Sequence, residues 1–423
     1  MKKLYFMAVA AIAALSSCTS DNELELNQNT GKEALTFTAT MEDSEATRAT
    51  YDNTNQYALW EASDQISING KSYTAQEGAG ATATFKATTE GEEAEGPTYN
   101  AYFPADLYDG TTATLPAIQT YTAGKFNMPM YATSTTTTLA FKNLCAVLAI
   151  KVTNADITTL KSIKVASDKK MNGTFTVDEN NAAVIGTDGT NAVVLESATA
   201  LTLTSEGTTF YIAIPAQTYQ YLNIFLSADG ETYTQAMATK KAAGLGTIER
   251  STIFNIDYAK NATKLWAGNL FFADCNVGAT SPEAYGGYYC WGGNIDKDPD
   301  SEYKSGESVL SGTDDTASTL WGSNWRMPTS DELTTLKGFG SWNSNGLLCE
   351  SPDYENNTVF LPAAGSSNYG NDSGQGVRGY YWSSTPNGSY NACGLVFYDW
   401  GEQNVSNSNG RDFGYSVRAV LNE

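Results

Sequence analysis

The sequence contains no histidine. That absence excludes Ser-His-Asp and Cys-His catalysis and every histidine-ligated metal site. Basic residues are scarce: 25 Lys and Arg stand against 47 Asp and Glu, a formal net charge of −22. Such a surface repels nucleic acid, so no nucleic-acid partner is expected. A long apolar run is also missing at the N-terminus. Leu4 to Leu15 is mostly apolar but falls short of the about 20 residues that span a bilayer. Helix-forming runs are few, whereas Thr, Gly, Tyr and Phe are plentiful, which points to strands and turns. Carboxylate, Tyr or Lys chemistry remains open. The acids are scattered, however, and no pair suited to glycoside hydrolysis stands out. The chain is therefore read as no enzyme.

What is present begins with an export signal. Lys2 and Lys3 precede the short apolar run, and Leu15-Ser16-Ser17-Cys18 closes it. A basic start, an apolar core and a small-residue exit form a secretory signal over residues 1–17. The ending resembles bacterial lipoprotein signals, which implies cleavage before Cys18 and diacylglycerol on its sulfur. The alternative is an ordinary signal with an incidental cysteine. Residues 18–33 are polar and acidic, with Asp21, Glu23 and Glu25, and read as a tether. The acidic patch resembles the surface-export signal of Bacteroidetes lipoproteins; a plain solvated linker is the other reading.

About 400 residues follow Cys18, enough for about three domains. Ala34 to Thr40 alternates apolar and polar residues, as a strand does. A loop with a single arginine follows, Ala46-Thr47-Arg48-Ala49-Thr50, and an exposed lone Arg is an easy protease target. Short alternating runs then recur: Gln65–Ile68, Ala83–Ala87, Tyr99–Pro104, Ser162–Val165, Gly173–Val177, Phe210–Pro215 and Leu222–Leu226. Asn69-Gly70 signals a hairpin. Leu144 to Ile150 is continuously apolar and reads as a central strand buried on both faces. Regular short strands suggest sandwiches, placed at 34–147 and 148–259. The strand, the Arg loop and the phrase from Phe141 to Val152 resemble the Bacteroidales fimbrillins. The resemblance implies two tandem transthyretin-like β-sandwiches, cleavage at Arg48–Ala49, loss of the first strand, and assembly by strand addition.

Composition changes after Lys260 to Lys264, read as a polar linker. Seven of the eight tryptophans follow it. The phrases Ala273–Ala279, Tyr285–Tyr289, Trp325–Thr329, Val359–Gly365, Gly379–Ser384 and Gly414–Val420 resemble the Fibrobacter succinogenes major paralogous domain. That implies an α+β, C-type-lectin-like domain over 264–423. Independently, Thr329-Ser330-Asp331-Glu332 is a capping box with Leu333 and Leu336 behind it. Pro282 can open another short helix.

Most of the late tryptophans lie inside these phrases and read as core. Trp342 and Trp400 lie outside them in polar loops and are the candidate ligand contacts. Asp296, Asp298, Asp300 and Glu307 occupy positions 1, 3, 5 and 12 of a calcium-loop pattern. Its glycine position is Ser301 and Pro299 interrupts it, so an acidic solvated loop is the plainer reading. No cofactor is expected; calcium is the one candidate. Arg326 and Arg418 read as members of buried ion pairs. Cys145 reads as a core residue. Cys275, Cys290, Cys349 and Cys393 read either as disulfides or as buried thiols.

The whole is expected to be mainly β: two tandem β-sandwiches, then an α+β lectin-like domain. Resemblance implies a fimbrial subunit on the cell outer membrane. Its partners would be other fimbrial subunits and a host or microbial surface ligand, glycans included. It would meet the membrane through its lipid until processing. A chain that ends in a folded domain suggests a tip adhesin, able to accept a strand but not to donate one. The alternative is a surface lipoprotein that binds glycans for nutrient uptake and never polymerises.

Overall fold

Alternation governs the first unit. The computed structural model describes residues 34–42, 60–76, 80–123, 126, 128–153, 157–294 and 303–423. The expectations for residues 1–33, including Cys18, and for Arg48, Ala49, Asp296, Asp298 and Asp300 lie outside these residues. β1 (Thr36–Met41) buries Phe37 and Ala39 and exposes Thr38. β2 (Gln65–Ile68) and β3 (Lys71–Ala75) form the hairpin that Asn69-Gly70 announces. These two residues take φ of 48° and 80°, as a type I′ turn requires. β4 (Thr82–Ala87), β5 (Tyr99–Phe103), β6 (Thr114–Leu115), β7 (Ile118–Thr120), β8 (Met130–Ser134) and β9 (Thr138–Asn143) follow. The ladder β1-β4-β3-β2-β5-β8-β9 closes on itself as a barrel. Trp60 fills its interior, edge-on to Phe85, Phe103 and Phe141 at 5.1, 5.2 and 5.5 Å.

β10 (Cys145–Val152) is the continuous apolar run, buried on both faces as expected. Its two faces serve different cores. Cys145 and Val147 pack with the barrel, while Ala146, Leu148 and Ile150 pack with the second unit. The boundary expected between 147 and 148 thus falls inside one strand. β11 (Thr159–Ser167), β12 (Gly173–Val177), β13 (Ala183–Ile185), β14 (Ala192–Thr202), β15 (Thr208–Pro215), β16 (Gln217–Tyr219), β17 (Leu222–Ser227), β18 (Gln235–Ala238), β19 (Gly246–Ile248) and β20 (Ile253–Asp257) complete this part. The sheet β15-β10-β20 shares a core with β11, β14 and β17.

The polar linker expected at Lys260–Lys264 instead contains a short buried strand. β21 (Ala262–Thr263) pairs with β18 on one side and with β22 (Leu270–Ala273) on the other. Ala262 and Thr263 are fully buried. Lys264 is buried too, because its ammonium reaches Glu423 at 2.6 Å and lies over the Phe271 ring. A lysine that buries its stem and pairs its tip reads as linker in composition alone.

The C-terminal unit adds α1 (Thr316–Trp321) and α2 (Ser330–Lys337). It also adds β23 (Gly340–Asn343), β24 (Gly346–Glu350), β25 (Thr358–Pro362), β26 (Ser366–Asn368), β27 (Asn371–Ser373), β28 (Arg378–Asn387), β29 (Asn391–Tyr398), β30 (Gln403–Gly410) and β31 (Val420–Asn422). β31 joins β22, which completes one eight-stranded sheet, β31-β22-β21-β18-β17-β11-β14-β7, running through two units. The α2 capping box forms as expected: Glu332 N donates to Thr329 Oγ1 at 3.2 Å, and Thr329 N donates to the Glu332 carboxylate at 2.8 Å. Pro282 opens no helix and lies in a turn. Trp291, Trp325 and Trp382 are fully buried with Val417, in a core that also takes Phe225 and Ala236. The protein is mainly β, as its composition predicts. Among the described residues no helix is long and apolar enough to cross a membrane.

Candidate functional site

The first candidate is the position of β1 itself. β1 pairs antiparallel with β4 (Thr38 opposite Thr84) and parallel with β9 (Thr38 opposite Thr138). It is the one member of the barrel whose removal would leave β4 and β9 each with an open edge. Phe37 packs edge-on against Tyr73 at 5.1 Å and Tyr99 at 4.8 Å. Met41 pairs opposite Phe141.

A charged latch closes the end of β1. Glu42 accepts from Arg250 Nη1 at 2.5 Å and Nη2 at 3.0 Å. It also accepts from Asn143 N at 3.1 Å and Ser251 Oγ at 3.2 Å, with Lys142 at 3.8 Å. Burial pushes the Glu42 carboxyl up, but the Arg250 and Asn143 donors outweigh it and hold it below the usual 4.5. Arg250 in turn donates to Asn143 O at 2.9 Å. The latch therefore ties β1 to the join between β9 and β10. Sequence reasoning missed it, because Glu42 and Arg250 stand 208 positions apart.

A depressed folded value means that the unfolded chain binds the proton first as pH falls. The latch therefore contributes fully above the unfolded value and is lost as pH drops through the folded one. Glu42→Gln should cost about 1.5–3 kcal/mol near pH 7. The gap between the variant and the parent should close below the ordinary carboxyl value of 4.5. Urea unfolding at both pH values checks this. A gap of equal size in acid would remove the carboxylate from the account.

The second candidate is an aromatic ledge on the C-terminal unit. Trp400 is 67% exposed and lies flat on Tyr398 at 4.3 Å. Its Nε1 donates to Glu402 at 3.1 Å. Burial and the neighbouring Tyr380 hydroxyl, in hydrogen-bond contact, raise the Tyr398 pKa. Tyr380 stacks on Tyr415 at 4.8 Å, and Tyr415 on buried Trp382 at 4.2 Å. The Arg378 guanidinium covers Tyr380 at 5.7 Å. A row of rings thus runs from the core to the surface and holds Trp400 in place. A rigid exposed indole with acceptors beside it can stack on a flat apolar face and orient polar groups around it.

The other predicted residues fall apart from this ledge. Trp342 is not in a polar loop. It sits on β23, half-buried, with its ring 6.3 Å from Phe397, because the alternation of the strand turns it toward the core. Glu307 is exposed and its carboxylate accepts from Ser389 Oγ at 3.3 Å. Its three proposed partners lie outside the described residues. Among the described residues no group of three or more His, Cys, Asp or Glu could hold a metal. Arg326 pairs with Glu332 at 2.6 Å, but the pair is half-buried rather than buried as expected. Arg418 forms no ion pair among the described residues. It is fully buried and donates instead to Asn276 Oδ1, Ala273 O and Phe360 O. Cys145, Cys275, Cys349 and Cys393 are thiols. Burial pushes Cys145 and Cys349 up to about 12, which makes them inert.

A family profile described as a Domain of unknown function (DUF8237) matches residues 350–420, within the C-terminal unit. No curated protein matches the chain. Among solved structures, a candidate cell adhesion protein from Bacteroides ovatus is similar at 18% identity and a TM-score of 0.33. The alignment covers 53% of this chain and 92% of that one. A second candidate cell adhesion protein, from Bacteroides uniformis, aligns at 17% identity over 54% of this chain and 94% of its own, with a TM-score of 0.34. A fimbrial protein from Bacteroides ovatus aligns at 9% identity over 93% of this chain and all of its own, with a TM-score of 0.25.

Proposed function

We propose that the chain is a fimbrial subunit of a bacterial surface, exported as a lipoprotein on Cys18 and assembled by β-strand addition. One observation carries this reading. β1 is a single N-terminal strand spliced between β4 and β9, joined to the rest of the barrel through the stretch that contains Arg48. Cleavage at Arg48–Ala49 would free it. The slot left behind has two unpaired edges and apolar pockets at alternate positions. A strand from another subunit satisfies both. The fimbrillin resemblance of the sequence supports the same reading. In it, the C-terminal unit adheres to a surface ligand through Trp400, and the subunit sits at the fibre tip. It performs no reaction and takes no cofactor.

The latch favours a second reading. Glu42 holds β1 through three side chains and a backbone amide, as a strand meant to stay would be held. The protein is then a standing outer-membrane lipoprotein that binds glycans for uptake. The N-terminus and mass of the protein recovered from its own cell surface separate the two. A chain that starts at Ala49 supports strand addition. A lipidated chain that starts at Cys18 overturns it in favour of the anchored form.

A further inference from the structure

Between the second unit and the C-terminal unit lies a cleft of about 590 Å³. Asn191, Tyr221 and Asn223 line one side; Ser311, Ser323 and Asn324 line the other. Its volume falls in the range of small-molecule sites, and such sites favour the junctions between units. Three features set its chemistry. First, its charges are already paired. Lys164 meets Glu423 at 3.3 Å, and Arg326 meets Glu332 at 2.6 Å. Little net charge is left to select an ion. Second, the uncharged polar wall groups are amides and hydroxyls, which between them donate and accept. Third, Asn324 is fixed in the wall and ties the two sides together. Its Nδ2 donates to Asn223 Oδ1 at 2.8 Å and Thr239 O at 3.0 Å. Its Oδ1 is buried with no hydrogen-bond partner. That oxygen is closed off from solvent, so it presents nothing to a ligand in the cleft.

We propose that this cleft binds a neutral oligosaccharide. Sugar hydroxyls both donate and accept, as the wall amides and hydroxyls do. Ala166, Ala192 and Leu310 add apolar surface for the carbon faces of the rings. The cleft shares no residue with the Trp400 ledge. The inference goes beyond strand addition in the fimbrial reading; for the anchored lipoprotein it rests on that reading and names its site and the class of glycan.

Saturation-transfer NMR on the full chain tests it, with a panel of neutral gluco-, manno-, galacto- and xylo-oligosaccharides beside sialylated and sulfated ones. At least one neutral member should bind. Ser323 is exposed, so Ser323→Trp adds bulk to the cleft without entering the core and should abolish that binding. Tyr221→Phe removes one hydroxyl and should weaken binding by about five- to tenfold. Val184→Ala, exposed on β13 and outside the cleft, should leave it unchanged. A panel in which nothing neutral binds overturns the proposal. So does binding that survives both cleft variants, or binding that disappears with Val184→Ala.

Discussion

Replacing Phe37 by alanine should lower stability by about 3–5 kcal/mol, the cost of a large aromatic lost from a packed core. Phe37 is fully buried, and the edges of Tyr73 and Tyr99 meet its ring. Tyr73 cannot follow the deleted ring inward without breaking a contact of its own, since its hydroxyl accepts from Ala94 N at 2.8 Å. The hole therefore stays. Thr38→Ala is the matched control, one residue away on the same strand with its side chain in solvent. It should change stability by less than about 0.5 kcal/mol. Urea unfolding of the full chain, followed by tryptophan fluorescence, reads both, because Trp60 reports on this core. Equal effects from the two variants would mean that β1 contributes only its backbone ladders. The slot would then accept a strand of any sequence, and strand addition would lose its specificity.

Arg418→Met should cost a similar amount, about 3–5 kcal/mol. The guanidinium is fully buried and makes no carboxylate contact among the described residues. Burial pulls its pKa down, and three acceptors hold the charge in place. They come from separate segments: Ala273 at the end of β22, Asn276 just after it, and Phe360 on β25. Methionine fills much of the volume but leaves all three acceptors without their donor. Arg418→Lys should recover only part of the loss, since an ammonium cannot span the fork. Arg326→Met is the comparison. That side chain is 32% exposed, its partner Glu332 is 22% exposed, and the pair should be worth about 1 kcal/mol or less. Thermal unfolding of the three variants ranks them. A loss at Arg326 as large as that at Arg418 would put the weight on charge rather than on buried acceptors.

Local chemistry was legible in the sequence. Asn69-Gly70 announces its turn because both positions need positive φ. Thr329 and Glu332 announce a helix start because their partners are three residues away. The apolar run of β10 announces burial on both faces. What it cannot announce is that the two faces belong to two cores, since that depends on partners from β15, β11 and the barrel. The join at Ala262–Thr263 is illegible for the same reason: its neighbours are β18 and β22, and the polar residues around it mimic a linker. Arg418 was read as an ion pair because burial of a charge suggests a countercharge, whereas carbonyls serve here. Of the candidate sites, Trp400 stood out as an aromatic in a polar loop. The Glu42–Arg250 latch and the polar cleft did not, because each is assembled from distant parts of the chain.

The sheet that runs unbroken from β7 to β31 bears on how this molecule would hold under tension. Chains of domains joined by flexible segments extend at the joints first and unravel one domain at a time. Here β18 and β21 are neighbours in one ladder, and β10 belongs to the barrel and the second unit together. A pull along β1 is resisted by hydrogen bonds to β4 and β9 that lie across the direction of pulling, so they share the strain rather than open singly. From there the strain passes through β10, shared by the barrel and the second unit, and through the ladder β18-β21-β22 into the C-terminal unit. Under load applied between β1 and the C-terminal unit, such a chain would behave as one stiff body rather than as beads on a string.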